Sequence, residues 1–156
     1  MGKGRGGCCC GDEDGGGGIP NENVPLFVSH LILIVLSTAA WVLCAPIIHD
    51  GWPTHIHAWI VFELSLAVVT TAFGILAAII DSRDATFYER KPETFLVVDV
   101  ALFVMNVAVS VTGAVYWRHG TEQSHVLFNC VVVLSWLTLL FLGVAGAQDY
   151  VKTGSD

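Results

Sequence analysis

Four long stretches of almost continuous apolar side chains alternate with short polar segments along the chain. A helix needs roughly 20 apolar residues to cross a hydrocarbon core about 30 Å thick. Backbone groups in lipid have no water to bond, so each stretch is predicted to be a helix. The predicted spans cover residues 26–48, 56–80, 95–117 and 125–147. The pattern therefore predicts an all-α protein, a four-helix transmembrane bundle.

Polar residues, prolines and glycines separate these spans and set the organisation of the chain. A polar linker that begins at Asp81 joins the second span to the third. Residues 25–150 form the predicted membrane domain. Residues 1–24 are predicted to be a disordered tail rich in glycine and cysteine, and residues 151–156 a short tail.

Lysine and arginine are distributed unequally between the two sides of the predicted bundle. One side, which carries both tails and the linker, holds Lys3, Arg5, Arg83, Arg90, Lys91 and Lys152. The other side holds Arg118 alone. Positive residues near spans stay in the cytoplasm, so both termini are predicted to be cytoplasmic. The predicted location is the plasma membrane or endomembrane vesicles.

Composition agrees with a membrane protein and excludes several functions. The chain is 54% hydrophobic and 13% charged, whereas globular domains carry about a quarter charged residues. The formal charge of -7 includes no dense basic patch, which excludes nucleic-acid binding. The sequence contains no phosphate loop and no nucleophile with a nearby base. We therefore predict that the protein is not an enzyme and has no cofactor.

Polar residues inside the spans are costly and are functional candidates by default. They are His30, Glu63, Asp99, Asn106 and Asn129. Their depths predict a contact between His30 and Asp99 near the cytoplasmic side, and one between Glu63 and Asn129 near the other side. Two interpretations stay open: such pairs fix the helix register, or Glu63 and Asp99 lie on a path for protons or ions.

Cysteines fall into two groups. Cys8, Cys9 and Cys10 lie together in the N-terminal tail, where thiols near a membrane are acceptors for reversible acylation. We predict that they are acylated, which would hold the tail at the membrane. Cys44 and Cys130 lie within spans and are predicted to be packing residues, although a bridge between them stays open.

Five histidines are predicted to gather at the non-cytoplasmic side: His49, His55, His57, His119 and His125. Grouped imidazoles can bind zinc or copper, or titrate in an acidic compartment. Histidines at a membrane interface without a special role are the third interpretation. No resident metal is predicted from this group alone.

Two stretches carry a resemblance to a known family. They are Pro92-Glu93-Thr94-Phe95-Leu96-Val97-Val98-Asp99 in the third span and Gly146-Ala147-Gln148-Asp149-Tyr150 at the end of the fourth. With four spans and cytoplasmic ends, residues 24–152 resemble the MARVEL-type proteins, which include the plasmolipin, synaptogyrin and plant Casparian-strip-like groups. In the last group an aspartate of the third span accompanies an arginine of the first. Asp99 matches that aspartate, and His30 is the candidate substitute for the arginine.

The resemblance implies a non-enzymatic protein that organises membrane domains, vesicle trafficking or cell junctions by lateral association. Its partners would be the lipid bilayer and other membrane proteins or further copies of itself. The alternative hypothesis is a small proton or ion transporter, channel or accessory subunit that uses Glu63 and Asp99.

Overall fold

The computed structural model describes residues 24–48, 54–83, 92–116 and 125–153. These residues form four α-helices: α1 Val24–Ile47, α2 Thr54–Arg83, α3 Pro92–Tyr116 and α4 His125–Thr153. No strand occurs within the described ranges. All four helices are long and apolar enough to cross a membrane. The predicted all-α, four-helix transmembrane bundle is confirmed.

The helices pack in a ring in which α1 contacts α2 and α4, and α3 contacts α4. The seam between α2 and α3 is less extensive than these three contacts. The start of α1 meets the ends of α2 and α4, through His30 with Asp81 and Ser29 with Gln148. Neighbouring helices are therefore antiparallel. We call the end of the bundle that holds the start of α1 and the end of α4 the terminal end, and the opposite end the far end.

The outer surface of the bundle is apolar, as a lipid-facing surface should be. Val35, Val104 and Leu140 are 67%, 60% and 57% exposed, and many other large aliphatic side chains face outward on all four helices. Exposing such area to water costs about 25 cal/mol per Å². Hydrocarbon removes that cost, so this surface suits a bilayer.

Polar side chains are instead found inside the bundle. Among the described side chains twelve polar ones are buried, three from each helix: Ser29, His30, Ser37, Glu63, Thr70, Asp81, Asp99, Asn106, Ser110, Ser135, Thr138 and Asp149. They lie among buried apolar residues that form the core, such as Leu33, Leu102 and Leu142. The interior thus contains the polar groups that a lipid-facing surface excludes.

Two helices continue beyond the spans that hydropathy predicts. α2 runs to Arg83 and α4 to Thr153, whereas the predicted spans end at residues 80 and 147. A hydropathy pattern stops at the first charged residues, although the helical hydrogen bonding does not. As a result Asp81 and Asp149 lie within helices and are almost completely buried, at 1% and 0% exposure.

Small residues allow two close helix contacts. In the α1–α2 contact, a Cβ atom added to Gly74 would lie 3.0 Å from Ile34 Cγ1. In the α2–α3 contact, a Cβ atom on Gly113 would lie 2.6 Å from Cζ2 of Trp59. The Trp59 indole N–H donates a hydrogen bond to the Val109 carbonyl oxygen at 3.0 Å. Trp59 is therefore a buried residue of the α2–α3 seam.

We predict that Gly113→Ala destabilises the bundle, because the added methyl group overlaps the rigid Trp59 ring. Overpacking of this kind costs about 1–3 kcal/mol. The measurement is the thermal stability of purified protein in detergent. Gly146→Ala is the matched control, since its Cβ atom would make an ordinary contact, 3.7 Å from Asp99 Cβ. Equal stability of the two variants would contradict the packing described for the α2–α3 seam.

Candidate functional site

Four ionisable side chains, one from each helix, are buried at the terminal end of the bundle. They are His30 on α1, Asp81 on α2, Asp99 on α3 and Asp149 on α4, and none is more than 1% exposed. We call this group the terminal cluster. Each helix contributes its residue within about two turns of its terminal end. A bundle of four antiparallel helices therefore brings residues far apart in sequence to one depth.

His30 and Asp81 form the best-defined contact of the terminal cluster. His30 Nδ1 lies 2.8 Å from Asp81 Oδ2, and both side chains are fully buried. The Nδ1–H group is the donor when Asp81 is a carboxylate. The His30 and Phe73 rings also pack edge to face, with the two planes at 87°. The other ring nitrogen, Nε2, has no hydrogen-bond partner.

Asp99 and Asp149 place two acids next to each other. The Asp149 carboxyl group interacts directly with that of Asp99, and Asp81 lies within electrostatic range of Asp99. Neither Asp99 oxygen has a hydrogen bond of normal geometry. Two adjacent carboxylates are unfavourable in a low-dielectric interior unless a proton or a cation lies between them.

His30 is the basic member of the terminal cluster. Among the side chains that the structure describes, none belongs to lysine or arginine. The terminal cluster thus contains three carboxyl groups and one imidazole, and the imidazole contacts Asp81 directly. Repulsion between the acids is the electrostatic consequence.

Glu63 and Ser135 form a second polar contact, in the far half of the bundle. The Ser135 hydroxyl group donates to Glu63 Oε1, while Glu63 Oε2 has no hydrogen-bond partner. Glu63 is 3% exposed. It lies 18 residues from Asp81 on α2, which is about 27 Å along the helix axis.

Hydroxyl and amide groups lie between these two polar regions. Ser37 and Thr71 share a hydrogen bond of 2.8 Å between α1 and α2. The Asn106 amide donates to the Leu102 carbonyl oxygen of its own helix at 2.9 Å. The hydroxyl oxygens of Thr70, Ser110 and Thr138 are buried without hydrogen-bond partners, a further polar set inside the bundle.

A layer of apolar side chains separates the terminal cluster from these hydroxyl groups. Every helix has buried apolar side chains between its cluster residue and the next buried polar side chain, and these include Leu33, Ala77, Leu102 and Leu142. We call these four residues the hydrophobic layer. Movement of an ion from one polar region to the other has to cross it.

Both contacts predicted from depth are wrong. His30 pairs with Asp81 instead of Asp99, because α2 extends far enough to bring Asp81 to the same depth. Glu63 bonds Ser135 instead of Asn129, whose side-chain oxygen has no partner. Asn129 lies six residues before Ser135 and hence about 9 Å nearer the far end.

The remaining predicted site residues are only partly described. Cys8, Cys9, Cys10, His49 and His119 lie outside the described residues, as does the side chain of His125. His55 packs against Tyr116, with ring centroids 5.5 Å apart. Within the described ranges no group of three or more histidine, cysteine, aspartate or glutamate residues could hold a metal ion, and this includes His55 and His57. Cys44 and Cys130 are free thiols, the first buried and the second exposed.

Sequence reasoning missed Asp81, Asp149 and Ser135 as site residues. Asp81 lies one residue after the predicted span on α2, and Asp149 lies two residues after the predicted span on α4. Continuing each helix by about one turn would have placed both residues in the bundle.

Comparisons of the chain with protein-family models, with curated proteins and with solved structures find no match.

We predict that His30→Leu lowers the free energy of unfolding by about 3 kcal/mol, because Asp81 would stay buried without its partner. Replacing both residues, as His30→Leu with Asp81→Leu, removes that penalty. The double variant is therefore expected to lose less stability than the sum of the single variants, by about 1 kcal/mol or more. Unfolding in mixed micelles measures these values.

Ser82→Ala, at an exposed position beside Asp81, is the control and should leave stability unchanged. Strict additivity of His30→Leu and Asp81→Leu would show that the two side chains do not interact.

Proposed function

We propose that this multi-pass membrane protein transfers protons or small cations across the bilayer, alone or as an accessory subunit. The observation that carries the proposal is the terminal cluster, in which His30, Asp81, Asp99 and Asp149 converge from four helices. Ionisable groups at such positions cost stability in a membrane and are typical of ion and proton pathways. A purely structural contact between helices needs one polar pair, not three acids and an imidazole.

Each part of the interior has a role in this proposal. The terminal cluster takes up a proton or cation, because its acids outnumber its basic group. Glu63, with one oxygen bonded by Ser135 and the other without a hydrogen-bond partner, is the second acceptor. The hydrophobic layer between them prevents free leakage. Transfer then requires the helices to shift. The seam between α2 and α3 is less extensive than the other three helix contacts, so the helices separate there most easily.

The membrane-organising function implied by the MARVEL resemblance stays a prediction. Lateral association needs an outer surface that recognises another protein, and the outward-facing side chains are aliphatic at most positions. The buried acids are not exposed on that surface. Flux measurements on the purified protein therefore separate the two hypotheses.

We predict that liposomes containing the protein show proton or monovalent-cation flux under an applied gradient. Asp99→Asn and Glu63→Gln should each lower this flux at least tenfold, since both keep the side-chain shape and remove an ionisable group. Flux is measured with an entrapped pH-sensitive dye and, separately, with a potassium- or sodium-sensitive dye.

Glu93→Gln is the matched control, because Glu93 is an exposed carboxyl group in the first turn of the same helix as Asp99. It should leave flux unchanged. If wild-type liposomes are no leakier than empty ones, the protein does not transport ions by itself. If all three variants conduct like the wild type, the terminal cluster and Glu63 have no part in transport.

A further inference from the structure

A groove on the outer surface between α3 and α4 leads to the terminal cluster. Its inner part is a cleft of about 210 Å³ lined by Asp99, Val100, Phe103, Gly143 and Gly146, among others. Phe103 and Gly143 also line a wider hollow of about 620 Å³ that reaches Trp136. We call the two together the α3–α4 groove. Val100 and Phe103 are exposed, so the groove opens towards lipid.

Two glycines keep this passage open. Neither Gly143 nor Gly146 has a side chain to fill the space between the helices. A Cβ atom on Gly146 would lie 3.7 Å from Asp99 Cβ, directly beside the acidic residue. Asp99 lines the cleft although only 1% of its surface is exposed, and neither of its oxygens has a hydrogen bond of normal geometry.

The lining determines what kind of molecule fits. Apart from Asp99, the residues that line the groove are apolar. A hydrocarbon chain suits the wide part, and a group that donates hydrogen bonds to a carboxyl group suits the inner end. The neighbouring acids Asp81 and Asp149 favour a positive charge on that group and oppose a phosphate.

We propose that the α3–α4 groove binds a single-chain amphiphilic amine, with its ammonium group at Asp99 and its chain extending towards Trp136. Ten residues of α4 separate Gly146 from Trp136, a length of about 15 Å that matches a long alkyl chain. Asp99 lies near the terminal end of the bundle, where headgroups meet the hydrocarbon, and Trp136 lies deeper. The amine therefore has the same orientation as a membrane lipid.

Other occupants fit less well. A helix of a second copy is about 10 Å wide and cannot enter a cleft of 210 Å³ to reach Asp99. A neutral lipid chain would fill the groove without an interaction with the Asp99 carboxyl group. Comparing an amine with a neutral alcohol distinguishes these two occupants.

This inference rests on the proposed function, because both treat the buried acids of the terminal cluster as a site for positive charge. It concerns binding and not transport. The test uses the full-length protein in phosphatidylcholine vesicles with no ion gradient. Dodecylamine brominated near its chain end quenches tryptophan by contact, and brominated dodecanol is the neutral comparison. The signal from Trp136 is the difference between the wild type and Trp136→Phe.

We expect the amine to quench Trp136 at a membrane concentration at least tenfold lower than the concentration of alcohol that gives the same quenching. Asp99→Asn should abolish this difference, while Glu93→Gln should keep it. Gly146→Val retains the carboxyl group and fills the passage beside it, so it should also abolish the difference. Unchanged thermal stability of a variant shows that its effect does not come from unfolding.

Equal quenching by amine and alcohol in the wild type would overturn the proposal, because it would mean occupancy by any chain. An amine preference that survives both Asp99→Asn and Gly146→Val would overturn it as well. Ion flux is measured separately, so amine binding without flux would contradict the transport function alone. Flux without an amine preference would contradict the groove site alone.

Discussion

Hydrocarbon offers no hydrogen bonds, so every polar side chain of the four helices needs a partner inside the bundle. In the described helices, twelve polar residues are turned inward and aliphatic side chains are left outside, and several of the buried polar atoms still have no hydrogen-bond partner. Helix packing, the positions of the acids and the access route between α3 and α4 all follow from this constraint. The contact between His30 and Asp81 is the clearest case, since it joins two helices through groups that neither could expose to lipid.

The same constraint separates structural polar groups from functional candidates. Ser37 and Thr71 share one hydrogen bond and need nothing else. Interhelical contacts of this type contribute about 0.6–2 kcal/mol in membranes. Asp99 is different, because its carboxyl group interacts with another acid and its oxygens lack hydrogen bonds of normal geometry. Adjacent buried acids without such bonds destabilise a bundle. We therefore connect this arrangement with protons, cations or a bound amine.

Hydropathy predicts the number of helices and their approximate positions, because the bilayer thickness sets the length of each apolar stretch. It does not predict which polar residues meet. Depth alone pairs His30 with Asp99, but the helix ends and the rotation of each helix about its axis decide the pairing. Asp81 and Asp149 become buried because α2 and α4 continue past the apolar stretch. The inward position of Trp59 depends on the space beside Gly113, which no periodicity reveals.

The distance between His30 and Asp81 in lipid tests the central claim most directly. Solid-state NMR of protein labelled with ¹⁵N-histidine and ¹³C-aspartate measures it as a dipolar coupling between a ring nitrogen and a carboxyl carbon. A strong coupling that disappears in Asp81→Asn is the predicted result, since Nδ1 lies 2.8 Å from Oδ2. If the wild type and Asp81→Asn show the same couplings, the terminal cluster does not form in the membrane.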